Sequence, residues 1–302
     1  MTRHVLDVDD LTVAELNAVL DLSERATWPR PLAGQGVALV FEKQSARTRN
    51  ATEMAVVQLG GHPLTMRGDE VGFDVRESVE DIARTLSCYH SAIAARVYDH
   101  AVVQRLAHAS SVPVINLLSD RSHPMQALAD LLTMRQELGQ LDGRTLAYIG
   151  DANNVCRSLL LGASMFGMKI RVASPTGYGL GDADVDVLRA VGTEPALTTR
   201  PIEAVGGADV VYTDVWVSMG QEHERDTRLR QFEGFGVDEH LMSHAGNNAI
   251  FLHCLPAKRG YEVSDEVVDG PQSRVWQQAA NRMHTARGLL LWLFTATGQA
   301  HE

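Results

Sequence analysis

Four short segments place polar and charged side chains directly after apolar runs, where a folded chain would present them together. The first is Phe41-Glu42-Lys43-Gln44-Ser45-Ala46-Arg47-Thr48-Arg49. Backbone N–H groups at a helix start, two hydroxyls and a guanidinium can together hold an anion. Arginine adds a planar fork that matches phosphate oxygens. Taken alone, an ordinary capped helix start explains the segment equally well. The second is His123-Pro124-Met125-Gln126. Residues three apart share a helical face, so the imidazole can donate to a carbonyl oxygen while the glutamine carbonyl accepts from an amide. A capping histidine beside proline is the alternative. The third, Asp214-Val215-Trp216-Val217-Ser218-Met219-Gly220, offers a carboxylate and a hydroxyl to an ammonium group, or is a simple turn ending in glycine. The fourth is His253-Cys254-Leu255-Pro256. Its thiol could be a nucleophile, although a small buried filler is the commoner use of such a cysteine.

These segments need elements to position them. Apolar residues recur at helical spacing after Thr12 as far as Leu22, and residues 45–58, 78–89, 124–138, 154–166 and 281–294 also read as helices. Residues 36–41, 92–97, 112–116, 145–149, 169–173, 208–213 and 249–252 read as buried strands. Alternation of strand and helix implies parallel sheets. The expected fold class is α/β: two doubly wound parallel-sheet domains joined by long helices. The break at residues 139–143, polar and flanked by glycines, suggests domains over 1–138 and 139–302, with the last helix, about 281–296, packing back on the first. In an open parallel sheet ligands bind beyond the carboxyl ends of the strands, which is where all four segments fall. Gly150-Asp151-Ala152-Asn153-Asn154 also follows a strand, but it lacks the G-x-G-x-x-G pattern of a dinucleotide loop. A Walker A sequence is absent as well.

Composition narrows the classes. The chain has 302 residues, 45% hydrophobic and 22% charged, with a formal net charge of −11. That balance suits a globular protein and disfavours nucleic acid, which needs a basic face. No apolar run approaches the roughly 20 residues that cross a bilayer. The first twelve residues mix charges early and lack the apolar core of a signal peptide, so the cytoplasm is the expected compartment. Cys88, Cys156 and Cys254 match no disulfide framework or zinc spacing. The acidity poses a problem: an anionic ligand requires the few basic groups to be gathered in one pocket.

The ordered set SARTR, HPMQ, GDANN, DVWVSMG and HCLPA resembles the aspartate/ornithine carbamoyltransferase family, most closely its ornithine-specific branch, over nearly the whole chain. The resemblance implies an enzyme that moves the carbamoyl group of carbamoyl phosphate to an amine. The first domain would bind carbamoyl phosphate and the second the amino acid. It implies a homotrimer or a multiple of trimers, and neither metal nor organic cofactor. By similarity, Ser45, Ala46, Arg47 and Thr48 would hold the phosphate, and Arg96 would bridge the phosphate and carbonyl oxygens. His123 would polarise the carbonyl and Gln126 would orient the amide, with Cys254, Leu255 and Arg282 completing the contacts. Leu118, Asn154, Asp214, Ser218 and Met219 would form the L-ornithine set. Arg96, His123, Asp214 and Cys254 would act in catalysis, Cys254 by contact and not as a covalent nucleophile. Arg47, Arg96, Arg282 and His123 gathered around one dianion would answer the acidity problem.

The sequence departs from the family pattern in three places. Ala46 stands where Thr or Met is usual, and Asn50-Ala51-Thr52-Glu53 replaces an aromatic-containing continuation. The loop over residues 68–77 carries neither the Gln nor the basic residue that relatives present to a neighbouring subunit's carbamoyl phosphate. Glu70 or Gly72 stands there, and a carboxylate beside phosphate is repulsive. Arg76 is the available compensation.

Overall fold

The computed structural model of the protein describes residues 2–217 and 221–295. It divides into two compact units, Met1–Ala129 with Ala280–Glu302, and Asp130–Ala279.

The first unit begins with α1 (Val13–Ser23), whose Thr12 and Glu15 form a reciprocal N-terminal cap. There follow β1 (Gly36–Phe41), α2 (Ala46–Gln58), β2 (His62–Arg67), α3 (Gly68–Val71), α4 (Val79–Tyr89), β3 (Ala92–Arg96), α5 (His100–Ala109), β4 (Val114–Leu118) and the start of α6 (Pro124–Leu138). The strands run parallel in the order β2-β1-β3-β4. β1 and β3 lie inside the sheet, and almost all their residues are buried. That explains their continuous apolar runs, since a parallel sheet is covered on both faces. Ala38, Val40, Ile93 and Ala95 pack with Ile82 of α4 and Val103 and Leu106 of α5. Each fully buried valine, leucine or isoleucine of this kind contributes roughly 1.5–3 kcal/mol.

Asp130 begins the second unit, partway through α6. It continues with β5 (Thr145–Ile149), α7 (Asn154–Met165), β6 (Lys169–Ala173), α8 (Asp182–Ala190), β7 (Ala196–Thr198), α9 (Pro201–Val205), β8 (Val210–Thr213), α10 (Arg225–Gln231), α11 (Glu239–Met242), β9 (Ile250–His253), α12 (Asp265–Val268) and the start of α13 (Val275–Thr295). Its parallel sheet has the order β7-β6-β5-β8-β9. Strand order reverses at β5, and β5 and β8 are adjacent. This is the switch point where a doubly wound sheet opens a crevice. The core around it includes Ile149, Val211, Phe232 and Phe251.

The α/β class and the parallel sheets are as the sequence implies. Individual elements differ. β4 begins at Val114 and extends to Leu118, two residues later than its apolar run suggests. α13 spans Val275–Thr295, starting before the expected Asn281. β2 was not legible: its burial alternates irregularly and it contains Pro63. Proline is tolerated there because β2 is an edge strand that, among the described residues, pairs with β1 alone. The division into units falls inside α6, ahead of the 139–143 break, and the residues from Ala280 onward group with the first unit.

Candidate active site

In the first unit, the end of β1 leads through Glu42 and Lys43 to Ser45, the N-cap of α2. Ser45 Oγ accepts the Thr48 N–H at 3.3 Å. Ala46 and Arg47 occupy the first turn, where backbone N–H groups face outward and favour an anion. Arg47 is exposed, whereas Thr48 is 2% exposed. Arg96, at the end of β3, is buried. The pairing of β3 with β4 slips beside it: Ala95 faces Asn116 but Arg96 faces Leu118. Such a bulge re-aims a side chain at the sheet edge. Arg96 Nη1 donates to Thr48 Oγ1 at 3.4 Å, and Arg282 Nη2, from α13, donates to the same oxygen at 3.1 Å. Arg282 Nη1 donates to Gln126 Oε1 at 2.5 Å. Two guanidiniums therefore meet at one hydroxyl, within a group of five buried polar side chains that includes Gln126 and His123.

His123 precedes Pro124 at the start of α6, and its carbonyl accepts the Gln126 and Ala127 N–H groups. Proline at this position fits, because the first helical N–H has no partner to lose. The His123 pKa lies well below the usual histidine value, first through burial and then through the positive charges of Arg282 and Arg96. Its imidazole is therefore neutral near pH 7. A neutral ring can donate one hydrogen bond without adding a third full charge. The group is an electropositive, water-poor pocket with one uncharged donor and an amide. It suits a small ligand that carries a dianionic end and a carbonyl.

The second unit builds a different group at its switch point. Gly150 follows β5 with φ +127°, a conformation that favours glycine. Asn153 caps α7, accepting the Val155 and Cys156 N–H groups with its side-chain oxygen. Its Nδ2 donates to Asp214 Oδ2 at 2.9 Å. Asp214, just beyond β8, is 3% exposed. Cys254 Sγ donates to the other oxygen, Oδ1, at 2.9 Å. Asn154, the first residue of α7, lies next to this pair in sequence. One carboxylate is thus held from both sides, ready to pair with a cation.

Arg228 of α10 braces the same region. Its Nη1 donates to Asp151 Oδ2 at 2.8 Å and to the Trp216 carbonyl at 3.1 Å, and its Nε donates to Glu224 at 2.8 Å. Burial raises the Asp151 pKa, while Arg228 opposes the rise. Behind Cys254, Leu255 is left-handed at φ 58° and precedes a cis peptide to Pro256. The His253 Nδ1 accepts the Leu255 N–H at 2.9 Å, and its Nε2 lies 3.3 Å from Glu262 Oε1. Gln278 Oε1 accepts the His253 N–H at 2.9 Å, and Gln278 Nε2 donates to Asp130 at 2.6 Å.

Asp214, His253 and Cys254 offer ligand atoms within 4.8 Å of one another. These donors fit a metal ion poorly. Both imidazole nitrogens of His253 are engaged, and the thiol and carboxylate bond each other. A metal would have to break these contacts.

The expected residues therefore fall into two groups. Ser45, Ala46, Arg47, Thr48, Arg96, His123, Gln126 and Arg282 lie in the first unit, as does half-buried Leu118. Asn154, Asp214, Cys254 and Leu255 lie in the second. Ser218 and Met219 lie outside the described residues. Sequence reasoning missed Asn153, Arg228, Glu262 and Gln278. Asn153 could have been found, because an Asn one residue ahead of a helix is a capping signal. The other three lie on other segments than the motifs and leave no local pattern.

The loop over residues 68–77 is ordered by its own bonds. α3 ends at Gly72 with φ 63°, where an added Cβ would lie 2.8 Å from Arg76 Cγ. Glu70 Oε2 accepts the Arg67 N–H at 2.9 Å, and Arg76 Nη1 donates to the Glu70 carbonyl at 2.9 Å.

Two family models together match nearly the whole chain. The carbamoyl-P binding domain of aspartate/ornithine carbamoyltransferases matches residues 3–136, and the Asp/Orn binding domain matches residues 142–293. Ornithine carbamoyltransferase of Acidothermus cellulolyticus is 48% identical, over 99% of this chain and 98% of that one. That of Thermus thermophilus is 47% identical, over 97% of each. The solved ornithine carbamoyltransferase of Pyrococcus furiosus superposes with a TM-score of 0.91 at 41% identity, covering 95% of this chain and 96% of that one. The chain belongs to the aspartate/ornithine carbamoyltransferase family.

Proposed function

We propose that the protein is an ornithine carbamoyltransferase, moving the carbamoyl group of carbamoyl phosphate to the side-chain amine of L-ornithine to give L-citrulline and phosphate. The observation that carries this reading is the meeting of Arg96 and Arg282 at Thr48, beside Gln126 and a neutral His123. The near-full-length likeness to ornithine carbamoyltransferases supports the choice of acceptor.

The chemistry follows from those residues. Ser45, Arg47, Thr48 and the first N–H groups of α2 hold the phosphate. Arg96 and His123 donate to the carbonyl oxygen, and Gln126 orients the amide. Asp214, with Asn154 beside it, takes the α-ammonium of ornithine. The side-chain amine has an ordinary pKa near 10, so it must lose a proton before attack. A partly desolvated, positive surrounding favours that loss. The amine lone pair then adds to the carbonyl carbon, and the developing oxyanion is met by Arg96 and His123. Collapse breaks the carbon–oxygen bond to phosphate, which leaves with the electron pair onto guanidiniums already in place and takes up the proton released by the attacking nitrogen. Much of the rate would come from holding two reactants in line.

The proposal extends to a homotrimer, to the cytoplasm and to the citrulline-forming step of arginine biosynthesis. Exposed Met54 and Val57 of α2 and Leu64 of β2 support a covered face. Three free thiols suit a reducing compartment.

The test is purified protein with carbamoyl phosphate and a panel of amines, with ureido product measured. Citrulline formed from ornithine is the expected result. No citrulline, with turnover of a different amine, would overturn the acceptor assignment.

A further inference from the structure

The half-buried thiol of Cys254 and the left-handed Leu255 need something to hold them, since nothing in the local sequence favours that backbone. A non-glycine residue in the left-handed region costs about 1–2 kcal/mol and persists only when its surroundings impose it. The surroundings are specific here. The Leu255 N–H donates to His253 Nδ1 at 2.9 Å. That nitrogen therefore carries no proton, and the neutral ring carries its proton on Nε2. Nε2 faces Glu262 Oε1 at 3.3 Å, with side-chain exposures of 0% for His253 and 1% for Glu262. The same Oε1 also accepts the Lys258 N–H. The Glu262 backbone is fixed in turn, its carbonyl accepting the Val237 N–H at 2.9 Å. A chain of contacts thus runs from Glu262 through His253 to Leu255. The preceding residue, Cys254, donates its thiol to Asp214.

We propose that Glu262 is a positioning residue: it holds His253 in the Nε2–H tautomer, so that Nδ1 fixes the Leu255 backbone and keeps the Cys254 thiol on the Asp214 carboxylate. The imidazole's proton location is set by its partner at the far nitrogen. With Glu262 removed, either nitrogen can carry the proton. In the Nδ1–H tautomer the ring loses the Leu255 contact and two N–H groups oppose each other. The Asp214 carboxylate would then lose its Cys254 contact and keep that of Asn153.

This inference rests on the reading that Asp214 and Cys254 serve the acceptor, and two measurements separate the two. The first is read on the unsubstituted protein: ¹⁵N-labelled histidine in the whole protein at pH 7, with the His253 resonance assigned by its loss in His253→Asn. The expected spectrum shows a proton on Nε2 and none on Nδ1. A proton on Nδ1, or on both nitrogens, overturns the proposal whatever the enzyme's substrate. The second compares steady-state constants for Glu262→Gln and Glu262→Ala. Glutamine keeps an oxygen for both donors and recovers most of the activity. Alanine raises the ornithine KM at least tenfold and leaves the carbamoyl phosphate KM within twofold. Equal changes in both constants, or an unchanged ornithine KM in a folded Glu262→Ala protein, refute the positioning role. If the parent protein makes no citrulline, the functional reading fails, and the tautomer measurement still decides the structural one.

Discussion

Arg282 offers a direct test of the first-unit pocket, because two contacts depend on one side chain. Its guanidinium donates to Gln126 Oε1 at 2.5 Å and to Thr48 Oγ1 at 3.1 Å. Both acceptors are nearly inaccessible, at 1% and 2% exposure. Arg282→Lys keeps the charge but replaces a fork with a point donor. One ammonium cannot reproduce both directions, so one buried acceptor loses this partner. That loss costs about 1–3 kcal/mol, which corresponds to a roughly 5- to 150-fold weakening at 1.36 kcal/mol per factor of ten. Arg282→Met removes the charge too. Two charge-assisted bonds at about 1.5–3 kcal/mol each give a loss of at least about a hundredfold.

The assay varies carbamoyl phosphate at saturating ornithine and then reverses the roles, reading citrulline. The expected result is a rise in carbamoyl phosphate KM in the order Lys, then Met, with ornithine KM little changed. A second readout comes from His123. Arg282 is the first charged cause of its lowered pKa, after burial. Removing that charge should raise the His123 pKa, although burial keeps it below the ordinary value. A methionine variant with the parent's melting temperature and a carbamoyl phosphate KM within threefold of the parent's would refute the placement of Arg282 on that ligand.

Three further outcomes follow from the same geometry. Arg47→Ala should abolish turnover in a protein that still folds, since Arg47 is exposed at the start of α2 and carries no core packing; near-normal activity would remove it from the phosphate site. Asp214→Asn should raise the ornithine KM about 10- to 150-fold, the loss of one charge-assisted bond of about 1.5–3 kcal/mol, while carbamoyl phosphate KM stays constant. Stability should fall as pH drops below about 6.5, because His4, His90, His123 and His284 all have lowered pKa values through burial. In that range the unfolded chain takes up protons that the folded chain refuses, so each group contributes a slope of up to about 1.4 kcal/mol per pH unit; equal urea midpoints at pH 7 and pH 5.5 would contradict this.

Legibility in the sequence tracked how local each cause was. β5 and α6 were readable to the residue because a buried apolar run and a proline-led helix declare themselves within a few positions. β2 was hidden because its pairing with β1, not its own composition, makes it a strand. The anion site was legible as separate pieces, since capping residues and post-strand loops have local signatures. The meeting of Arg96 with Arg282 at Thr48 was not. It depends on a β-bulge and on a helix more than two hundred residues away in sequence, and here it was inferred from family likeness alone. The buried supports Arg228, Glu262 and Gln278 are ordinary residues in sequence, and only the fold gives them their partners.

The altered loop over residues 68–77 is organised by contacts that its sequence did not announce. Several acidic groups in and beside it have partners of their own. Asp69 pairs with Arg67 at 2.9 Å, and Glu70 caps its own short helix through the Arg67 N–H. Asp74 and Glu80 share Arg105 at 2.6 and 2.7 Å. That contact holds the Glu80 carboxyl at about 2, mainly through the Arg105 hydrogen bond. These carboxylates remain exposed or partly exposed, and their contacts lie within the loop and its neighbouring elements. Arg76 is different: its guanidinium donates to a backbone carbonyl, which leaves its charge uncancelled by that contact. The loop's own bonds thus keep a cation, Arg76, against the Glu70 backbone. A chain with net charge −11 can still build an anion site. Several surface carboxylates, such as Asp69, Asp74 and Glu80, pair with arginines, whereas Arg96 and Arg282 are buried, where a low dielectric strengthens their hold on a dianion.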